Sequence, residues 1–145
     1  MQQIRVIVTA ILILIPVIIF AQPGNVQSKL AGKWLLVKHT LTENKKTEDL
    51  LTSNETYTYH FKADGTYEVS YTSKKTESTT VYKGKWQVVN NGKKLKLYQN
   101  HLAGDDATLV GDKLLPVVRI SVTEFVTKEL LFGMDLLGTS YYKKL

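Results

Sequence analysis

The stretch Leu30-Ala31-Gly32-Lys33-Trp34-Leu35-Leu36-Val37 decides how this chain is read, because it opens the first strand of an all-β domain with a Gly-x-Trp. A glycine two residues before a strand tryptophan leaves room for a large ring to lie over neighbouring backbone, and the indole then dominates the packing of whatever it seals. Trp34 is therefore expected to plug a core. The pattern returns at Gly84-Lys85-Trp86-Gln87-Val88-Val89. Leu35, Leu36 and Val37 break strict alternation, so the first strand, Gly32 to Leu41, does not declare which face points inward.

Upstream, Met1 to Ala21 has the build of a secretory signal, with Arg5 as the positive start, Val6 to Phe20 as an apolar run broken by Pro16, and Ala21 as the cleavage point. That run falls short of the roughly 18 to 20 apolar residues that span a bilayer, and the Pro-Gly-Asn after it is no stop-transfer flank. The expected mature chain, residues 22–145, is a single domain long enough to bury one core. It contains no cysteine, which excludes a lipid-modified cysteine, a disulfide framework and a Cys-based zinc site. An exported, periplasmic or extracellular monomer with no membrane span is the expectation.

Of 19 basic residues only Arg5 lies in the leader, and all 13 acidic residues lie beyond it, which leaves the mature chain about five charges positive. Arg119 is its one arginine. The remaining charge is lysine, in pairs such as Lys45-Lys46, Lys74-Lys75, Lys93-Lys94 and Lys143-Lys144. Phosphate and base recognition favour arginine forks, so these lysines read as solvated turns and strand edges rather than a nucleic-acid surface.

Beyond the first strand the chain reads as short strands between turn signals, with at most one helical turn over Gln27 to Ala31. Thr42 to Asn54 reads as a long polar loop with an apolar tip at Leu50-Leu51. Tyr57, Tyr59 and Phe61 then alternate with polar residues, Ala63-Asp64-Gly65-Thr66 supplies a tight hairpin, and Tyr67, Val69 and Tyr71 alternate in turn. A strand from Thr80 to Val89 places Tyr82, Gly84, Trp86 and Val88 on one face. Asn90-Asn91-Gly92-Lys93 is a second hairpin signal, before Leu95 and Leu97. Gln99 to Lys113 reads as a second long loop. Leu114 to Val122 is a strand with Val118, Ile120 and Val122 together, Thr123 to Glu129 a turn, and Leu130 to Leu137 and Thr139 to Leu145 the last two strands.

Eight strands joined mostly by short turns make an antiparallel meander, which removes its edges by closing. The expected fold is thus all-β, an eight-stranded up-and-down barrel. Four pieces in order carry a resemblance: Leu30 to Trp34 (L-x-G-x-W), Phe61 to Tyr67 (F-x-x-D-G-T-Y), Gly84 to Leu97 (G-x-W, a turn, then G-K-x-L-x-L) and Ile120 to Phe132 (I-x-x-T-E, then x-L-x-x). Together they resemble the small bacterial secreted lipocalin-like domain family, over about Lys29 to Leu145. The resemblance implies a barrel closed at one end by Trp34, with a basic side chain from near the C-terminal end stacked across it. Arg119 and Lys143 are the candidates for that part. The long C-terminal helix and the disulfide of many larger lipocalins have no counterpart here.

Candidate chemistry is sparse. His39, His60 and His101 fall in three elements with no paired spacing, and Asp105, Asp106 and Asp112 lack the alternation of a calcium loop, so no metal and no cofactor is assigned. No Gly-x-Ser-x-Gly or phosphate-binding loop is present. The functional expectation is a non-enzymatic carrier of a small apolar molecule inside the barrel. Its interior would comprise Trp34, Tyr59, Phe61, Tyr67, Val69 and Tyr71, together with Tyr82, Trp86, Leu95, Leu97 and Ile120. Buried tyrosines need hydrogen-bond partners, so the wall they form is half polar. The alternative is a module with a filled barrel that docks on an envelope protein through its two loops, led by Leu50 and Leu51.

Overall fold

The computed structural model describes residues 23–43, 45–131 and 136–145. Its elements are α1 (Pro23–Leu30), β1 (Gly32–Glu43), β2 (Lys46–Asp49), β3 (Glu55–Phe61), β4 (Thr66–Ser73), β5 (Ser78–Val89), β6 (Lys94–Leu102), β7 (Asp105–Val110), β8 (Lys113–Ile120), β9 (Glu124–Leu131) and β10 (Leu136–Lys144). The expected leader, residues 1–21, lies outside the described residues.

All strand pairings are antiparallel, and β10 returns to pair with β1, so β1, β3, β4, β5, β6, β8, β9 and β10 close into an eight-stranded barrel. The short β2 folds back on the outer part of β1, and β7 pairs with the end of β6. Closure leaves the barrel strands no free edge, which is what a meander of this length requires.

The hairpins follow their turn chemistry. Gly65 takes φ +84°, and the Asp64 carboxylate accepts from both the backbone N–H and the hydroxyl of Thr66, at 2.9 and 2.7 Å. Asn90, Asn91 and Gly92 all take positive φ, between 53° and 87°.

Four expectations about elements are corrected. Thr42 to Asn54 is not a free loop, since it contains β2 and its Leu50 N–H donates to the His39 carbonyl at 2.7 Å. Gln99 to Lys113 is largely strand, because β6 runs on to Leu102 and β7 follows after a turn at Gly104. Thr123 to Glu129 is not a turn. It holds most of β9, with Phe125, Val126 and Thr127 buried. The N-terminal helix is also longer than the single turn expected at Gln27 to Ala31.

Bulges explain the unclear alternation. The register of β1 against β10 shifts between Leu36 and Lys38, so Trp34 and Leu36 face inward, Val37 is partly exposed, and His39 returns to the interior. A second shift between Val117 and Arg119 turns Val118 outward and lets Val117 and Ile120 both pack on the core. Val118, Ile120 and Val122 therefore do not share an inner face, as Val118 and Val122 are exposed.

One end of the barrel is solid. Leu30, Trp34, Phe61, Trp86, Leu95 and Phe125 are all at most 1% exposed. Their rings interlock: Trp34 meets Phe125 edge-on at 4.8 Å, Phe61 meets Trp86 at 5.2 Å, and Phe125 stacks on Tyr142 at 4.0 Å. Both indole N–H groups find carbonyls, Trp34 at Leu30 (2.7 Å) and Trp86 at Lys62 (2.9 Å). Helix α1 lies under this end, with Leu30 in the core and Val26 against it.

Candidate functional site

Above the aromatic plug the barrel is hollow. A cavity of about 390 Å³ is walled by Leu36 and His39 of β1, Glu55, Tyr57 and Tyr59 of β3, Leu97 of β6, Lys113 and Leu115 of β8, Thr127 and Glu129 of β9, and Ser140 and Tyr142 of β10. Leu50 and Leu51 form its lip. A second lobe of about 290 Å³ shares Tyr57, Tyr59, Leu97 and Lys113 with the first and extends to Tyr67, Val69, Tyr71, Tyr82, Asn100 and Val110. Each volume lies at or near the lower end of the roughly 300 to 1,000 Å³ range of small-molecule pockets.

The walls are built by strand pairing. Tyr57 pairs with Tyr71 and Tyr59 with Val69 across β3 and β4, and Val69 pairs with Tyr82 across β4 and β5, so one face of three strands is largely phenolic. The Tyr57 and Tyr71 rings lie 4.8 Å apart. Four of the phenols resist ionisation for the same main reason, burial. It holds Tyr59 well above the ordinary tyrosine value, raises Tyr142 and Tyr57, and pushes Tyr67 up to about 12.

Polar groups inside the cavity are paired with one another. His39 Nδ1 and the Ser140 hydroxyl are 2.8 Å apart, on residues in register between β1 and β10. The Tyr142 hydroxyl lies in the same cavity wall as Ser140, Thr127 and Tyr59. Tyr71 donates to Glu55 at 3.1 Å, Tyr67 donates to Asn100 Oδ1 at 2.6 Å, and Lys113 and Glu129 form an ion pair at 3.8 Å. Among the described residues no buried side-chain polar atom lacks a partner.

The sequence-derived interior residues divide between two roles. Tyr59, Tyr67, Val69, Tyr71, Tyr82 and Leu97 line the lobes. Trp34, Phe61, Trp86 and Leu95 are interior but belong to the solid plug, and Ile120 packs against that core without lining either lobe. Sequence reasoning did not find His39, Thr127, Glu129 or Ser140. They are polar residues on inner faces, so they erase the alternation that marks a strand with one apolar side.

The basic side chain over Trp34 is Lys144, with its ammonium 5.1 Å from the ring centre. Arg119 is instead exposed and pairs with Glu124 at 3.4 Å, and Lys143 is exposed. His101 belongs to β6 rather than a loop, and among the described residues no three His, Asp or Glu gather as a metal set. A hollow of about 600 Å³ lies on the outer wall beside Lys62, Glu68, Lys83, Lys85 and His101. There Glu68 already pairs with Lys62 at 2.7 Å and Lys83 at 3.9 Å.

A closed eight-stranded barrel, plugged at one end and hollow at the other, defines a domain of ligand-binding type. The family model described as a lipocalin-like domain matches residues 30–114, more than half of the chain, and the protein belongs to that family. No curated protein matches the chain. It is similar to a solved structure described as a redesigned beta barrel, at 15% identity and a TM-score of 0.46, with 83% of this chain and 95% of that one covered.

Proposed function

We propose that this protein is a non-enzymatic, exported binding protein for a small amphiphilic molecule with a largely apolar body, held in the barrel cavity. The observation that carries the reading is the bilobed hollow itself. Its apolar floor of Leu36, Leu97 and Leu115 lies beside tyrosines and a few paired polar groups, the composition of a site that buries a hydrophobic body and orients a polar end.

The hollow also favours this reading over a filled barrel that acts through its loops. Leu51 is packed against the core and Leu50 shares the lip with it, so neither forms an apolar patch apart from the cavity. His39 and Ser140 have the spacing of a base and a nucleophile, yet β10 is paired along both sides, to β1 and β9. Its amides are engaged in ladders, which leaves that strand no backbone donor for an oxyanion. We therefore assign the pair to the polar wall of a binding site.

Native mass spectrometry of the exported protein, combined with calorimetric titration of medium-chain alcohols, tests the proposal. A retained small-molecule adduct, or saturable one-to-one binding, is expected. No adduct and no heat across a broad apolar panel would overturn it.

A further inference from the structure

Resting on that binding reading, we infer that the cavity selects an amphiphile with a cationic head, of the alkylammonium class, over one with a carboxylate head. Tyr57 and Tyr71 are register partners whose rings lie 4.8 Å apart and line the second lobe. Glu55 follows on the same face, one inward position nearer the mouth, and its carboxylate is fixed 3.1 Å from the Tyr71 hydroxyl. Aromatic faces beside a carboxylate are the chemistry that holds an ammonium group: the ring quadrupole attracts the cation and the carboxylate neutralises it.

Charge at the mouth points the same way. Among the described residues that line this cavity, Glu55 and Glu129 face a single ammonium, Lys113, which is already paired with Glu129 at 3.8 Å. Glu55 is thus the carboxylate without a cation of its own among these three. A ligand carboxylate placed there would meet a like charge, whereas an alkylammonium head would complete the balance. His39 is engaged with Ser140 at 2.8 Å. The protein as a whole is positive, formally +6, so its long-range field draws anions. A preference for cations would therefore come from the cavity and not from net charge.

Three probes of equal tail length separate the terms: decyltrimethylammonium, decanoate and decanol, each titrated calorimetrically below its micellar concentration into the exported protein. The ammonium probe should bind about ten-fold more tightly than decanoate, the factor expected of one such contact. Glu55→Gln, which keeps the shape and removes the charge, should collapse that ratio, weakening decyltrimethylammonium more than it weakens decanol. Tyr57→Leu, a second variant against another part of the head site, should weaken the ammonium probe more than decanol. Thermal unfolding verifies that each variant is folded. Equal or tighter binding of decanoate, or a ratio that survives Glu55→Gln, would overturn the inference while decanol binding keeps the carrier reading intact. If none of the three binds, both fall.

Discussion

The Lys144 ammonium sits 5.1 Å above the Trp34 ring and reaches past it to the carbonyls of Ala31 and Lys29, at 3.0 and 3.3 Å. The two residues are register partners across the β1–β10 seam that closes the barrel. One side chain thus covers the plug and satisfies carbonyls at the end of α1, where a cation also suits the helix dipole. Gly32 makes this possible: it takes φ +128°, and a Cβ there would lie 2.9 Å from Lys144 Cε.

Trp34→Ala should cost about 3 to 5 kcal/mol, as large aromatic truncations in cores do, against a typical total of about 5 to 15 kcal/mol. Lys144→Met should cost about 1 kcal/mol, since it keeps the stem and loses the exposed cation–π contact. Lys33→Ala should be nearly silent, because that side chain is exposed. Urea midpoints order the three. Equal, small shifts for Trp34→Ala and Lys33→Ala would contradict the plug.

Gly84 has a different reason to be glycine. Its φ is ordinary, but a Cβ would meet Asn100 Oδ1 at 2.7 Å, the Tyr67 ring at 2.8 Å and the Tyr98 carbonyl at 2.9 Å. That methyl would push on the buried Tyr67–Asn100 hydrogen bond at the point where the register of β5 and β6 shifts. Gly84→Ala should cost about 1 to 3 kcal/mol by overpacking. Gly111→Ala, with nothing within 4 Å of its added methyl, is the matched control. Thermal denaturation of the pair distinguishes crowding from a general intolerance of alanine.

Burial holds the Tyr67 phenol at about 12, against an ordinary value of 10.0, and raises Tyr59 and Tyr142 as well. The unfolded chain therefore releases these protons at lower pH than the folded one. Their contribution to stability is complete below pH 10 and is lost as pH rises through the folded values. Tyrosinate absorbance should show a group of the eight tyrosines resisting ionisation until the barrel opens, with unfolding midpoints falling above pH 10. All eight titrating together near the ordinary value, with the fold intact, would contradict the buried wall.

How legible each part was in sequence follows from its burial chemistry. The Gly-x-Trp pairs, the Asp-Gly hairpin and the alternation from Tyr57 to Trp86 lie where one face is apolar and the other wet, so strands and inner face could be read directly. Around β9 that contrast vanishes. Thr127 and Glu129 point into the cavity, so Thr123 to Glu129 looked like a turn although Phe125 is among the most buried residues. His39 and Ser140 were obscured in the same way, and the bulge at Leu36 to Lys38 hid the phase of β1. A barrel with a polar mouth conceals its binding residues because they break the pattern that reveals its strands.

The division of the interior into a solid end and a hollow end is tested most directly by backbone amide NMR during titration with decanol. Saturable shifts are expected at Leu36, Tyr57, Leu97, Leu115 and Ser140, with Trp34, Phe61, Trp86 and Leu95 at the plug left unmoved. No shift at saturating probe, or shifts confined to the outer wall around Lys62, Lys83 and His101, would contradict it.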